Sequence, residues 1–220
     1  MDVKITDLYD LSHTRAAKYL EQFTYPWEAL AGISDLILEL GKALPADEFD
    51  HPAEDIWIAK DATVAKTASI TGPCIIGHKT QVRQCAFIRG SALIGDTCVV
   101  GNSTEIKNVI IFDNVQVPHY NYVGDAILGF HAHMGAGSIT SNVKADNKNV
   151  VIKNQGELIE TGRRKVGAML GDYADIGCGS VLNPGVVIGR HTNVYPLSCV
   201  RGVVPPNSIY KDKDNIVEKY

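Results

Sequence analysis

The fold is decided by residues 70–106, ITGPCIIGHKTQVRQCAFIRGSALIGDTCVVGNSTEI, in which a branched aliphatic residue stands at every sixth position. The same spacing begins at Ile58 and returns in the tract from Leu170 to Val200. Four positions after each aliphatic residue of the first tract the residue is small: Ala62, Ala68, Cys74, Thr80, Ala86, Ala92, Cys98 and Thr104. A period of six fits neither an α-helix nor hairpin-connected strands, but it is typical of a triangular solenoid whose flat sides are hexapeptides. We therefore predict an all-β, parallel β-helix of about seven coils.

The six-residue spacing also predicts the domain boundaries. Residues 1–52 lack it and are predicted to form an N-terminal helical cap, and residues 53–208 are predicted to form the β-helix. Within the solenoid, a hairpin insertion is expected at about residues 143–166, and a polar tail is expected at residues 209–220. An aromatic-rich stretch at residues 25–30 is expected to pack across the open end of the solenoid, because an uncovered terminal coil exposes unpaired backbone groups. The alternative for this stretch is substrate binding.

Composition excludes several classes of function. The net charge of −4 and pI near 6.0 argue against nucleic acid as the main partner. No apolar tract approaches the roughly 20 residues that span a bilayer, and the start of the chain lacks a secretory signal pattern, so we expect a cytoplasmic protein without membrane insertion. The five cysteines include no CxxC pair and are expected to serve packing rather than disulfide formation.

Four stretches of the chain carry a resemblance to a known family. They are Phe87-Ile88-Arg89, Glu105-Ile106-Lys107-Asn108, His119-Tyr120-Asn121-Tyr122-Val123-Gly124-Asp125 and Gly135-Ala136-Gly137-Ser138-Ile139-Thr140-Ser141-Asn142. Their order and spacing resemble the acetyltransferase half of the bifunctional N-acetylglucosamine-1-phosphate uridyltransferases and their archaeal-type sugar-phosphate nucleotidyltransferase relatives. The resemblance covers about residues 89–190 and implies a left-handed β-helix, a homotrimer and acetyl-CoA as co-substrate. No stretch resembles that family's nucleotide-transferring domain, so we expect uridyl transfer to be done by another protein.

The resemblance also implies which residues carry out acetyl transfer. N-acetylation needs a base that takes the proton of the attacking amine, and a neutral imidazole serves this purpose well. His119 stands where the family keeps its catalytic histidine, and Asn142 matches an asparagine near the acetyl group. The resemblance assigns the cofactor side to five residues: Gly135, Ala136, Gly137, Asp172 and Arg190.

A second group of residues is predicted to bind the acceptor sugar. Arg89 and Lys107 are eighteen residues apart, which is one coil, so they should stack about 4.8 Å apart and form a phosphate cradle. The family's acceptor site also implies Tyr122 and Lys148. Asp125 is expected either to orient this site or to cap a corner of the solenoid.

The chain departs from the family pattern beside the acceptor. His133 stands where the family usually has asparagine, and Val143 replaces a tyrosine. Both positions border the acceptor, so they bear on which sugar is recognised.

Three functions remain compatible with the sequence. The leading hypothesis is an acetyl-CoA-dependent N-acetyltransferase that acts on an amino sugar phosphate or a nucleotide-linked amino sugar. The alternative is a non-catalytic trimeric β-helix module that works with a separate sugar nucleotidyltransferase. His131 and His133 also raise a γ-class carbonic anhydrase-like zinc site, but their spacing does not fit that family, so no metal is expected to be required.

Overall fold

The computed structural model describes residues 2–219 and forms a parallel β-solenoid with three flat faces. Seven consecutive coils have a strand on every face, and an eighth has strands on two faces. Face 1 consists of Ile56–Ala59, Cys74–Ile76, Ala92–Ile94, 109–111, 126–128, Ala168–Leu170, Val186–Ile188 and Val203–Val204. Face 2 consists of Thr63–Val64, Gln81–Val82, Val99–Asn102, Gln116–His119, His133–Met134, Asp175–Ile176, Asn193–Val194 and Ser208–Asp212. Face 3 consists of Ser69–Ile70, Phe87–Ile88, 105–107, 122–124, Ile139–Thr140, Val181–Leu182 and Cys199–Val200. The predicted fold class, a left-handed parallel β-helix, is confirmed.

The six-residue spacing marks the side chains that fill the interior of the solenoid. Ile76, Val82 and Ile88 represent the three faces of one coil, and each is at most 1% exposed. Two strands, Glu105–Ile111 and Tyr122–Leu128, pass from face 3 to face 1 without a break in hydrogen bonding. They turn the corner at Asn108 and Asp125, whose φ angles are 52° and 50°. Asn and Asp tolerate this left-handed conformation better than most other non-glycine residues.

Face 1 differs from the other faces because its outer surface is also apolar. The middle residue of each face-1 strand points away from the interior, since side chains alternate along a strand. These residues pair in register and are at least nine-tenths buried for most of the column, which comprises Trp57, Ile75, Leu93, Ile110, Ile127, Met169, Val187 and Val203. Parallel strands that are buried on both sides have nearly continuous apolar sequences, as CII, ALI and VII show here. We call this column the outer stripe of face 1.

The N-terminal segment lies along the outer stripe, not across the open end of the solenoid as expected. It contains three helices, α1 (Ile5–Leu8), α2 (Ala17–Leu20) and α3 (Ile33–Ala43), and two 3₁₀ turns, Leu11–His13 and Pro26–Ala31. Helix α3 packs against the face-1 strands Cys74–Ile76 and Ala92–Ile94. A Cβ on Gly41 would lie 2.5 Å from the Trp57 ring, so the helix backbone rests directly on the stripe. The expected end cap was wrong because the apolar outer stripe offers a larger surface to cover than the first coil.

Antiparallel strands cover both ends of the solenoid instead. Phe49–Ala53 pairs with the first face-1 strand, Ile56–Ala59. At the other end Ser208–Asp212 continues face 2, and Asn215–Glu218 folds back along it. The prediction of a polar tail at residues 209–220 was therefore wrong for the described part, which pairs the last exposed strand edge. Tyr220 lies outside the described residues.

The predicted hairpin insertion is present and contains the strands Val151–Asn154 and Glu157–Glu160. Its turn has positive φ at Gln155 (48°) and Gly156 (91°), as tight hairpin turns require. Val150 and Ile152 are fully buried against the late coils near Gly185. Within residues 2–219, no helix is both long and apolar enough to cross a membrane.

Burial of the outer stripe makes a prediction about stability. Leu93 is 1% exposed and lies in a strand against which α3 packs, so Leu93→Ala should lower the free energy of unfolding by about 2–5 kcal/mol. Leu158→Ala is the matched control, because Leu158 is 68% exposed at the hairpin, and it should change stability little. Urea denaturation measures both variants. Equal destabilisation of the two would contradict the assignment of the stripe as core.

Candidate active site

Face 3 carries two outward columns of side chains that include the predicted acceptor residues. Phe87, Glu105 and Tyr122 pair in register along the first column. Arg89 and Lys107 lie two residues further along their strands and are neighbours in the second column. The hydrogen bond from the Arg89 amide to the Ile106 carbonyl (2.9 Å) fits this register. The predicted one-coil stacking of Arg89 and Lys107 is therefore present.

Both cations already have carboxylate partners. The Arg89 Nη1 atom lies 2.6 Å from Glu105 Oε1, and the Lys107 Nζ atom lies 3.4 Å from Asp125 Oδ2. The hydrogen bond that Arg89 donates to Glu105 raises the pKa of Arg89 further. The predicted phosphate cradle therefore carries two positive and two negative charges. A phosphate that bound here would have to compete with Glu105 and Asp125 for these cations.

Asp125 is the centre of a polar ladder at the corner between face 3 and face 1. Its side chain is 5% exposed. Asn108 donates from Nδ2 to Asp125 Oδ1 (2.9 Å), and Asn142 donates from Nδ2 to Asp125 Oδ2 (2.5 Å). Asn108 also donates to the Leu30 carbonyl (3.2 Å), which ties the N-terminal segment to this corner. Asp125 therefore does both things that the sequence left open: it caps the corner and it orients Lys107 and Asn142.

Tyr122 points toward this ladder. Its hydroxyl accepts a hydrogen bond from Asn142 Nδ2 at 3.2 Å. A Cβ at Gly124 would lie 2.5 Å from the Tyr122 hydroxyl oxygen, so only glycine lets the ring lie across the strand. Burial and the nearby Asp125 carboxylate raise the pKa of Tyr122, so the phenol stays protonated and remains a hydrogen-bond donor at neutral pH.

His119 lies at the other edge of face 3, at the corner shared with face 2. It ends the strand Gln116–His119 and is exposed. The amide of His119 donates to Asn121 Oδ1 (3.0 Å), and its carbonyl accepts from the Gly137 amide (3.0 Å). Within residues 2–219, no hydrogen bond or ion pair orients its imidazole. The backbone of His119 is thus held firmly while its side chain is free to turn.

The predicted cofactor residues Gly135, Ala136 and Gly137 lie one coil away from His119 at the same corner. The register of Gln116 with His133 places Ala136 directly beside His119. A Cβ at Gly135 would lie 2.6 Å from the Cys178 amide nitrogen, so the glycine permits close stacking of the next coil. The structure therefore brings His119 together with the GAG stretch, and this corner has little side-chain bulk.

Asn121 joins these two elements, although no role for it was predicted from the sequence. Its side chain is buried, and its Nδ2 donates to the carbonyls of Gly135 (2.8 Å) and Ser138 (3.2 Å). Its Oδ1 accepts from the His119 amide. One amide thus fixes the His119 backbone relative to the GAG stretch. Its position inside the HYNYVGD string was the only sequence signal for this role.

His119 and Asn142, the two predicted catalytic residues, are not brought together within one chain. They occupy opposite corners of face 3, with the strand of Tyr122 between them. Five residues of extended chain span about 16 Å, which is too far for both side chains to touch one small group. In a single chain, only one of the His119 and Asn142 side chains can therefore contact the acetyl group.

His133 lies on face 2, away from Tyr122 and Asn142. Its Nδ1 atom is 2.8 Å from Asp175 Oδ1, and Asn193 donates from Nδ2 to Asp175 Oδ2 (3.0 Å). The bond from His133 is the main cause of the lowered pKa of Asp175. A carboxylate that binds Nδ1 fixes the imidazole ring and leaves Nε2 facing outward. Asp175 and Asn193 were not predicted from the sequence because both are distant from His133 in the chain.

Asp172 and Arg190, predicted to bind the cofactor, take part in structural hydrogen bonds. They lie at the corner between face 1 and face 2, and Asp172 is 0% exposed. Its carboxylate accepts from the amides of Asp10 (2.7 Å) and Phe130 (2.9 Å) and pairs with Arg190 Nη2 (2.9 Å). Burial raises the pKa of Asp172. The Asp172 carboxylate thus ties the N-terminal segment and two coils together, and the cofactor role of Asp172 and Arg190 stays a prediction.

Lys148, predicted to complete the acceptor pocket, is exposed in the 144–149 loop. Its amide donates to Asp146 Oδ1 (3.1 Å), which shapes the loop. Among residues 2–219, no hydrogen bond or ion pair joins its ammonium group to Tyr122 or Asn142. The acceptor role of Lys148 stays a prediction.

No metal site accompanies this geometry in the described part of the chain. Residues 2–219 contain no group of three or more His, Cys, Asp or Glu side chains placed to hold a metal ion. His131 lies at the corner of faces 1 and 2, where it stacks on Tyr173 at 5.3 Å between ring centroids. His131 and His133 are thus in different environments, and the zinc hypothesis gains no support.

The pairing of His133 with Asp175 makes a prediction about pH. His133→Ala should raise the pKa of Asp175 toward its ordinary value, because the hydrogen bond that lowers it is lost. A depressed carboxyl pKa contributes stability that is present above the unfolded-state pKa and lost as pH falls through the folded-state pKa. The variant should therefore lose less stability than the native chain when pH falls through that range.

Carboxyl titration by NMR measures this shift. Asn193→Ala is the control, because the Asn193 hydrogen bond lowers the pKa of Asp175 less than the His133 hydrogen bond does. The pKa of Asp175 should therefore rise less in Asn193→Ala than in His133→Ala. An unchanged Asp175 titration in His133→Ala would contradict the pairing.

Comparison with known proteins places this arrangement in a family context. The family described as the GMPPB C-terminal domain matches residues 70–160. The chain is 33% identical over 132 residues to a bifunctional protein GlmU of Methanococcus maripaludis, covering 60% of this chain and 32% of the relative. It is 33% identical over 202 residues to a bifunctional protein GlmU of Methanococcus aeolicus, covering 82% of this chain and 48% of the relative. The chain thus spans a third to a half of the length of these relatives.

Among solved structures, the chain is similar to AntD, an N-acyltransferase from Bacillus cereus in complex with dTDP and 3-hydroxybutyryl-CoA. The TM-score is 0.41 at 19% identity, covering 83% of this chain and 88% of that one. The hexapeptide coils and the sequence matches agree with one another. The chain is a left-handed β-helix protein related to the GlmU-type bifunctional proteins.

Proposed function

We propose that the chain is an acetyl-CoA-dependent N-acetyltransferase that acts on an amino sugar bearing a phosphate or a nucleotide. The observation that carries this proposal is the stacking of His119 on the Gly135–Gly137 stretch at an exposed corner. A potential base lies there beside backbone that a thioester can approach closely. The matched relatives include a bifunctional sugar-1-phosphate nucleotidylyltransferase/acetyltransferase of Sulfurisphaera tokodaii, which supports the same chemistry.

The reaction needs three contributions from the protein. His119 accepts the proton of the amine as its nitrogen attacks the acetyl carbon, and the same proton then passes to the departing sulfur. The C–N bond forms, the C–S bond breaks, and free CoA thiol is released. The amides of Gly135 and Gly137 already donate to the carbonyls of Ile176 and His119, so the Ala136 amide is the GAG donor that we propose stabilises the developing oxyanion.

The acceptor is proposed to lie over face 3. Tyr122 presents a protonated hydroxyl there, and the ladder of Asn108, Asp125 and Asn142 fixes the edge of the face. Buried and mutually bonded polar groups of this kind provide a rigid frame for a sugar. Arg89 and Lys107 can contact an acceptor phosphate once it displaces their carboxylate partners.

We further propose a homotrimer whose sites lie between chains. Face 1 is covered by the chain's own helices and hairpin, so faces 2 and 3 remain for contacts between subunits. The corner they share carries exposed apolar side chains, Tyr120 (65% exposed) and Leu197 (85% exposed). We propose that a neighbouring chain packed at this corner supplies the residues, such as Asn142, that one chain places too far from its own His119.

One observation favours a different function. The imidazole of His119 has no orienting partner within residues 2–219, and Arg89 and Lys107 are neutralised by Glu105 and Asp125. A non-catalytic trimeric module that serves a separate sugar nucleotidyltransferase would need neither an oriented base nor a free phosphate cradle. This second candidate predicts that the chain alone releases no thiol.

Thiol release tests the two candidates. The protein is incubated with acetyl-CoA and a panel of amino sugar phosphates and nucleotide-linked amino sugars, and free thiol is followed by a colorimetric reagent. His119→Ala should lower the rate with the best acceptor by about 10²–10⁴-fold, as loss of a general base does.

The matched control for this experiment is His191→Ala. His191 is also an exposed histidine, but it stacks on Tyr173 at the corner of faces 1 and 2. The rate of thiol release by His191→Ala should equal that of the native protein. If the native protein releases thiol no faster than His119→Ala with every acceptor, the acetyltransferase proposal fails and the module remains.

A further inference from the structure

A groove runs between the hairpin insertion and the coils that follow it. One wall is formed by the loop with Lys144 and by the hairpin strand with Lys153, and the other by Ser141, Asn183 and Arg201. A second groove continues from Lys153 and Arg201 toward the C-terminal hairpin. The two grooves share Lys153, Arg201 and Gly202 as lining residues and lie on either side of them. We treat the pair of grooves together and call it the hairpin cleft.

The hairpin cleft is rigidly built. Ile152 and Val150 are fully buried beneath the hairpin and hold its first strand against the late coils. Gly185 has a φ of 80°, and a Cβ there would lie 2.6 Å from Val150 Cγ1. Gly202 has a φ of 75°, and a Cβ there would lie 2.9 Å from the Lys153 carbonyl oxygen. Both glycines therefore permit the close approach that sets Lys153 beside Arg201.

The cations of the cleft differ from those of face 3. Within residues 2–219, no hydrogen bond or ion pair joins Lys153 or Arg201 to a carboxylate, whereas Arg89 and Lys107 are both paired. Lys144 also faces the cleft and is paired with Asp146 at 3.3 Å. Asp212, Lys211 and Lys213 also line the second groove, and Asp146 lines the first. Lys153 and Arg201 line both grooves, and two such cations favour binding of an anion with more than one charged group.

We infer that the hairpin cleft binds the diphosphate of a nucleotide. Arginine offers a planar fork to phosphate oxygens, and lysine adds a point charge that follows the ligand. The cleft extends on both sides of Lys153 and Arg201, which leaves room for groups attached at either end of a diphosphate. The hairpin insertion thus has two roles: it covers face 1, and it forms one wall of a binding site.

This inference goes beyond acetyl transfer, because the cleft would bind a diphosphate even if the chain transfers no acetyl group. Ser141 lines one end of the cleft and is the neighbour of Asn142, so the cleft adjoins the polar ladder of face 3. A nucleotide diphosphate occurs in two reactants of the proposed function, the donor CoA and a nucleotide-linked acceptor. Both reactants offer the same diphosphate to the cleft, and titration with CoA and with UDP distinguishes them.

Isothermal titration calorimetry tests the inference, with inorganic diphosphate, UDP and CoA as probes. The variants are Lys153→Met and Arg201→Gln, with Lys42→Met on the exposed side of α3 as the control. In each cleft variant the Kd for inorganic diphosphate should rise about tenfold or more, and in Lys42→Met it should be unchanged. Thermal melting of each variant checks that the fold is intact.

Each outcome supports or overturns the inference. Tighter binding of UDP than of CoA, lost in both cleft variants, supports the inference and assigns the cleft to the acceptor. Tighter binding of CoA, lost in the same variants, supports it and assigns the cleft to the donor. No saturable binding of any probe at millimolar concentration, or native-like binding in both cleft variants, overturns the inference. Thiol release is measured separately, so failure here is distinguishable from failure of the acetyltransferase proposal.

Discussion

Burial of face 1 on both sides is the constraint that determines where every other part of the molecule can lie. The interior of a three-sided solenoid is filled by one aliphatic residue per hexapeptide, and this alone would leave three equivalent faces. Here the outer stripe from Trp57 to Val203 makes face 1 apolar on its outside as well. The N-terminal helices cover its early coils, and Val150 and Ile152 of the hairpin cover its late coils. Faces 2 and 3, their common corner and the hairpin cleft then remain for ligands or other chains.

The three corners of the solenoid have different chemistry as a result. At the corner of faces 1 and 2, carboxylates such as Asp96 and Asp172 bind the N-terminal segment through Arg15 and Asp10. At the corner of faces 3 and 1, the buried ladder centred on Asp125 joins three successive coils. At the corner of faces 2 and 3, small residues and the exposed His119 leave open backbone. The buried carboxylates Asp125 and Asp172 thus lie beside face 1, and His119 lies at the corner opposite to it.

The sequence predicted the fold well because a strict six-residue period has one structural solution. It also predicted the stacking of Arg89 on Lys107, since residues one coil apart must be neighbours. The stacking of His119 on the GAG stretch was not predicted. It did not predict that the N-terminal helices pack along face 1. The outer stripe contributes one apolar residue per coil, whereas the interior contributes an aliphatic residue in every hexapeptide, so the six-residue period dominates the sequence pattern. The structural role of Asp172 depends on Asp10, a contact between distant residues that no local pattern reveals. Asp175 and Asn193 were missed for the same reason.

Acetyl transfer at the corner of faces 2 and 3 requires the thioester of acetyl-CoA to lie at that corner. A crystal structure of the protein with bound CoA is therefore the decisive measurement. We expect the CoA sulfur to lie beside Ala136 and within hydrogen-bonding reach of a His119 imidazole, from the same or a neighbouring chain. A CoA whose sulfur lies at another corner, with the GAG stretch and His119 uncontacted, would show that acetyl transfer does not take place there.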